Sequence, residues 1–161
     1  MSKPISIIMG SQSDFEVLNE TITLLKEFKA GFEVIVLSAH RTPRELVRYV
    51  ESAPRRKVKV FIAAAGGAAA LAGVIAAHTS LPVIGIPVET KSLKGLDSLL
   101  STVQMPAGIP VACMTIGKAG ARNAAIFALE ILGVEDKKIH AQLSAYKKKM
   151  AVKIKKIKIR C

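Results

Sequence analysis

Five short stretches of nearly uninterrupted apolar, β-favouring residues recur along the chain, at 5–9, 32–37, 58–64, 82–88 and 111–116. Each is followed by a loop of small or polar residues, and helix-like stretches fill the intervals. Strands alternating with helices predict a parallel sheet, since a parallel return needs a long crossover and a helix usually supplies it. The runs are apolar almost continuously rather than at every second position, which predicts strands covered by helices on both faces. The expected fold class is therefore α/β: a three-layer, doubly wound parallel sheet of Rossmann-like type, with a C-terminal helical extension.

Two helix starts are marked. Ser13-Asp14-Phe15-Glu16 and Thr42-Pro43-Arg44-Glu45 both match the capping box, and Pro43 falls at the favoured first helical position. The first helix is expected to turn Val17, Thr21, Leu24, Leu25 and Phe28 inward. A small-residue helix over 119–132 is expected to close at Gly133. Farther on, Ile139, Leu143, Tyr146 and Met150 form a narrow apolar stripe, followed by a Lys/Ile mixture up to Arg160. The chain thus divides into an α/β domain over 1–134 and a basic helical extension over 135–161.

With 161 residues, half of them hydrophobic, there is material for one compact core and not for two. The net charge of +12 invites a nucleic-acid reading. Yet residues 1–134 hold 14 basic and 10 acidic side chains, whereas 135–161 hold 10 and 2, so most of the excess lies in the extension. Only one aromatic, Tyr146, accompanies those cations, which argues against a base-stacking groove and hence against nucleic acid as a partner. No apolar run reaches the roughly 20 residues of a membrane span, and no secretory signal pattern opens the chain, so a cytoplasmic location and no membrane partner are expected. Cys113 and Cys161 lack the spacing of a metal site or a disulfide framework, consistent with a reducing compartment.

Ligands of open α/β sheets bind beyond the carboxyl ends of the strands. The loops there are Gly10-Ser11-Gln12-Ser13-Asp14, Ser38-Ala39-His40-Arg41-Thr42-Pro43 and Ala65-Gly66-Gly67-Ala68-Ala69-Ala70-Leu71. The first offers hydroxyls and free amides at a helix N-terminus, a candidate phosphate seat. It is neither the P-loop nor the dinucleotide fingerprint, and taken alone Ser13 and Asp14 read first as helix-starting residues. In the second loop His40, an imidazole of the type that titrates near neutrality, adjoins the Arg41 guanidinium, a fork suited to phosphate oxygens. Gly66 and Gly67 either admit a planar ligand to the backbone or ease the strand-to-helix turn. Convergence of the three loops on one rim favours an active site over these separate readings.

The strings Gly-Ser-Gln-Ser-Asp (10–14), Ser-Ala-His-Arg-Thr-Pro (38–43), Ala-Gly-Gly-Ala-Ala (65–69), Gly-Leu-Asp-Ser-Leu (95–99) and Val-Gln-Met-Pro-Ala-Gly-Ile-Pro-Val (103–111) also follow one another in a recognisable order. In them the chain resembles the class I N5-carboxyaminoimidazole ribonucleotide mutases, the family of the phosphoribosylaminoimidazole carboxylase catalytic subunit, over most of residues 5–133. The resemblance implies a flavodoxin-like octamer that moves a carboxylate from the exocyclic nitrogen of an aminoimidazole ring to its C4 in purine biosynthesis, with no metal or cofactor. It implies phosphate binding by Ser11 and Arg41 with Ser13 nearby, ribose binding by Asp14, and His40 as general acid and base. Ser38, Ala39, Ala65, Gly66, Gly67, Ala70 and Leu71 would complete the substrate site.

The resemblance further implies that the extension packs on neighbouring subunits, that Gln104-Met105-Pro106 helps complete an adjacent site, and that an ATP-dependent synthetase supplies the substrate. The family pattern continues Ala-Ala-His-Leu-Pro-Gly where this chain reads Ala69-Ala70-Leu71-Ala72-Gly73, so an imidazole is missing at Ala70. A working site with an altered rate or pH profile is expected, since that loop's tasks are mostly those of its backbone. His78 and His140 read as surface residues. The class II branch, a direct carboxylase using carbon dioxide, carries a different glycine loop and is the alternative enzyme. A non-catalytic nucleotide- or RNA-associated homologue is the alternative of another class.

Overall fold

A computed structural model describes residues 3–159; Arg160 and Cys161, at the end of the basic extension, lie outside the described residues. Five parallel strands, β1 (Ile5–Met9), β2 (Phe32–Val36), β3 (Val60–Gly66), β4 (Val83–Val88) and β5 (Ala112–Cys113), form one sheet in the order β2-β1-β3-β4-β5. Among the described residues six α-helices accompany them: α1 (Phe15–Glu27), α2 (Pro43–Glu51), α3 (Leu71–Ala77), α4 (Leu96–Val103), α5 (Gly117–Gly133) and α6 (Lys137–Lys155). This strand order is that of the flavodoxin-like fold.

Alternate strand residues feed two separate cores. Ile5, Ile7, Met9, Val60, Ile62, Ala64, Ile84 and Ile86 pack against Leu18, Leu24 and Leu25 of α1 and the alanine-rich face of α5. Their neighbours Ile8, Phe61, Ala63 and Val83 face Leu46 and Val50 of α2 and Leu71, Ala72 and Ile75 of α3. Burial on both sides explains why these strands read as continuous apolar runs.

Several boundaries differ from expectation for identifiable reasons. β3 begins two residues late because the Val58 amide donates to Ala53 O (3.1 Å), closing the turn that precedes the strand. β5 is an edge strand that pairs only through Ala112 and Cys113 with Ile84 and Gly85. α1 does bury Thr21, Leu24, Leu25 and Phe28, along with Leu18 and Ile22, while Val17 is half-buried. Gly133 does not close α5 in a left-handed turn: it is the last helical residue, and Val134 after it stays right-handed.

Neither expected capping box forms as read. Ahead of α1 the box forms two residues earlier, on the 3-10 turn Gln12–Asp14: Ser11 Oγ accepts from the Ser13 amide and the Asp14 carboxylate accepts from the Ser11 amide. At α2 the Thr42 hydroxyl turns back into its own loop and makes no cap bond, although Pro43 does open the helix.

The α6 stripe finds a partner in its own chain. Leu143 is buried and Ile139 and Tyr146 are half-buried on the α5 side of the core, with the Phe28 and Tyr146 rings 5.6 Å apart. Met150 and the residues beyond it, Val152, Ile154, Ile157 and Ile159, are exposed. Among the described residues no helix is long and apolar enough to cross a membrane.

Candidate active site

The parallel arrangement brings the carboxyl ends of β1, β2, β3 and β4 to one rim, where an open cleft of about 650 Å³ lies between their loops. Ser11, Ser13, Asp14, Ser38, Ala39, His40, Arg41, Ala65, Gly66, Ala70 and Leu71 all line it. Gly10, Ala68, Val88 and Glu89 do so as well.

The β1 loop enters a single 3-10 turn, Gln12–Asp14, before α1. Its backbone is extended at Ser11, which lets the Ser11 hydroxyl accept both from the Ser13 amide (3.4 Å) and from the Ser13 hydroxyl (3.0 Å). Two hydroxyls therefore stand together at the start of a 13-residue helix, where unpaired amides favour an anion. Asp14 is buried, and its Oδ2 accepts from the Ser11 amide at 3.0 Å.

Burial pushes the Asp14 carboxyl above its ordinary 3.8, and this outweighs the amides of Ser11 and Gly10, the Ser13 hydroxyl and the Arg41 charge, which all pull it down. A raised acid is more stable protonated in the folded chain, so its contribution to stability is full below 3.8 and is lost as pH rises through the folded value. An Asp14→Asn variant lacks this titration. Urea unfolding at pH 7 and at pH 3.5 is therefore expected to show the native chain gaining on the variant at the lower pH. An equal difference at both would exclude a raised acid.

The β2 loop is held by its own side chains. Thr42 Oγ1 accepts from the Ser38 amide (2.8 Å) and donates to Ser38 O (3.1 Å), folding 38–42 into a tight turn that presents Ala39, His40 and Arg41. Arg41 then crosses to the first loop, where its terminal nitrogen donates to Gly10 O at 2.9 Å. That bond fixes the guanidinium beside the serine pair, so one end of the cleft holds two hydroxyls, helix amides and a cation. His40 is exposed on the cleft wall next to it.

The β3 loop supplies the opposite wall. Gly66 lines the cleft, but Gly67 does not: at φ +71° it makes the turn, its amide donates to Ser98 Oγ (2.9 Å) and its carbonyl accepts from Ser101 (3.3 Å). Gly67 therefore shapes the loop from behind. At Ala70, the position where the chain departs from the family pattern, a methyl group lines the cleft just before α3. His78 and His140 are both exposed and neither lines the cleft.

Glu89 and Val88 were missed in the sequence because the end of β4 carries no loop rich in glycine or serine. The signal available was position alone, the residue after a buried parallel strand. His40, Arg41, Asp14 and Glu89 are the ionisable side chains lining the cleft.

A model of the AIR carboxylase family matches residues 4–153. The chain is 52% identical over 143 residues to an N5-carboxyaminoimidazole ribonucleotide mutase of Vibrio parahaemolyticus, covering 89% of each chain. A mutase of the same name from Pyrococcus abyssi is 52% identical over 146 residues, 91% of this chain and 83% of that one. Among solved structures, Treponema denticola PurE superposes with a TM-score of 0.85 at 28% identity, over 93% of this chain and 92% of the other. A flavodoxin-like sheet whose rim loops meet in one anion-ready cleft, and a family match running nearly from end to end, place this chain in the AIR carboxylase family.

Proposed function

We infer that the chain is an N5-carboxyaminoimidazole ribonucleotide mutase, an isomerase of purine biosynthesis that transfers a carboxylate from N5 to C4 of an aminoimidazole ring. The relatives above carry that name at about half identity over about nine-tenths of this chain. The observation that carries the mechanism is the one cleft that joins an anion seat to a single imidazole.

The residues lining the cleft support the following steps. The nucleotide's phosphate occupies the Ser11, Ser13 and Arg41 end, where charge-assisted hydrogen bonds from the guanidinium and helix amides hold it. Asp14 takes the ribose hydroxyls. So anchored, the heterocycle lies between His40 and the Gly66 wall. Loss of carbon dioxide breaks the N–C bond and leaves the electron pair on N5, which takes a proton. The ring's C4 attacks the retained carbon dioxide, then gives up its own proton to restore aromaticity. His40 delivers the first proton and removes the second, so no proton is consumed overall. Holding carbon dioxide beside C4 supplies effective concentration, and the Ala65, Gly66, Ala68, Ala70 and Leu71 wall excludes water from it.

Turnover of N5-carboxyaminoimidazole ribonucleotide, followed by ultraviolet absorbance without ATP or bicarbonate, tests the reading. Carboxylation of aminoimidazole ribonucleotide by bicarbonate alone, with no mutase reaction, would overturn it.

The assembly belongs to the same proposal. Leu96 (51%), Leu100 (48%) and Val103 (50%) of α4 stay half-exposed, as does Leu93 (57%) in the turn before it, while the helix's polar Ser98 and Thr102 are buried. A helix with its apolar face outward needs cover. A homo-octamer buries this face, with the α6 end beyond Met150 also meeting a neighbour and exposed Gln104 and Pro106 reaching an adjacent cleft; Met105 instead packs on Gly73 of its own chain. The protein works in the cytoplasm, fed by an ATP-dependent synthetase. Leu100→Asp is expected to reduce the native mass in light scattering from the assembly to the single chain. An unchanged mass would move the interface off α4.

A further inference from the structure

The two walls of the cleft differ in chemistry. Ser11, Ser13, Asp14, Ser38, His40 and Arg41 come from the β1 and β2 loops and make that side polar. Ala65, Gly66, Ala68, Ala70, Leu71 and Val88 come from the β3 and β4 ends and offer methyl groups and backbone. Glu89 is the polar side chain on this second wall.

Its position is built, although its carboxylate is unspent. Val88 pairs in register with Gly66, and Val88 O accepts from Ser98 Oγ (2.7 Å), the same hydroxyl that holds the Gly67 amide. On the other side Thr90 Oγ1 donates to Asp97 Oδ1 (2.9 Å). Gly95 closes against the segment so tightly that a Cβ there would lie 3.2 Å from the Glu89 Cα. Residue 89 is thus clamped from both flanks. Its carboxylate pairs with no described lysine or arginine, whereas Asp14 and Arg41 across the cleft already bond to the protein.

A buried donor left without an acceptor is costly, so an amine pressed against a wall of methyl groups and backbone seeks the one side-chain acceptor there. Resting on the mutase reading, we propose that Glu89 accepts hydrogen bonds from the exocyclic amine of the substrate's ring, and so selects amino-substituted heterocycles and sets which edge of the ring meets His40. Glu89 gains and loses no proton in the reaction. An anionic acceptor on the N–H increases donation of the nitrogen lone pair into the ring, which strengthens C4 as the nucleophile. The same charge repels the carboxylate still attached to N5, which favours the bond that must break.

The test compares two ligands by calorimetry on the assembled protein: aminoimidazole ribonucleotide, and imidazole ribonucleotide lacking the amine. The native chain is expected to prefer the amino ligand by about 10- to 100-fold, the range of a hydrogen bond to a charged group. In Glu89→Ala the preference falls to near unity while the desamino ligand binds as before, a pattern that general damage to the cleft would not produce. Glu89→Gln, whose amide oxygen still accepts, keeps part of the preference. If the native chain binds neither ribonucleotide, the mutase reading fails and this inference with it. If it binds and turns over substrate but Glu89→Ala keeps the full preference, the role of Glu89 alone is overturned.

Discussion

His40→Asn is expected to lower turnover of N5-carboxyaminoimidazole ribonucleotide by about 10²- to 10⁴-fold, the usual contribution of a positioned acid–base group. Both halves of the reaction move a proton at the ring, and the imidazole is the one side chain in the cleft of a type suited to giving and taking one at neutral pH. Asparagine keeps similar size and a hydrogen-bonding nitrogen but cannot carry a proton. The turn that presents residue 40 is held by Thr42 and Ser38, and His40 itself is exposed, so the variant folds and binds as before. The loss then appears in kcat with KM little changed, because the phosphate seat is intact. Initial rates by ultraviolet absorbance and a thermal unfolding curve decide it. A variant that unfolds like the native chain and still turns over at its rate would place proton transfer elsewhere.

How far the fold was legible follows from which faces are buried. β1, β3 and β4 are covered by helices on both sides, so their residues had to be almost wholly apolar, with buried Ser6 matched by the Tyr49 hydroxyl (2.9 Å), and nearly continuous runs revealed them. β2 is an edge strand with Val34 and Val36 partly exposed, yet the same composition marked it; these valines point to a surface that the isolated chain leaves uncovered. The bounds and buried face of α4 were not foreseen, since its leucines face outward and its inward residues are Ser98 and Thr102. Thr102 meets its need inside the helix, donating to Ser98 O at 2.8 Å, which is how a polar residue passes for core. The rim loops were legible because parallel topology dictates where they meet. The capping registers were not, because Ser11 and Ser13, or Thr42 and Ser38, compete for the same orphan groups and only the backbone path decides between them.

Gly120→Ala is expected to destabilise the chain by about 3 kcal/mol, the upper end for inserting a methyl group into a closed core. A Cβ at this position would lie 1.7 Å from Thr115 O and 2.8 Å from its carbonyl carbon, both backbone atoms that no side-chain rotation can move. Relief requires shifting either the 115–117 turn, already committed to φ +72° at Gly117, or the first turn of α5. Moving α5 strains the buried bond from Thr21 Oγ1 to Ala121 O (2.7 Å) and lifts Ala121, Ala124 and Ala125 off α1 and the sheet. At about 2–4 °C per kcal/mol for a chain of this size, the midpoint falls by about 6–12 °C. Gly133, at the other end of the same helix, is the control. A methyl group there meets nothing closer than 3.5 Å, an ordinary contact with His140 and Leu143, and alanine favours a helix by up to about 1 kcal/mol over glycine. Gly133→Ala therefore leaves the midpoint unchanged or raises it, measured at equal protein concentration because assembly shifts the midpoint by mass action. Equal behaviour of the two variants would mean that the β5–α5 turn yields freely, and that the close approach at Thr115 does not hold α5 in register.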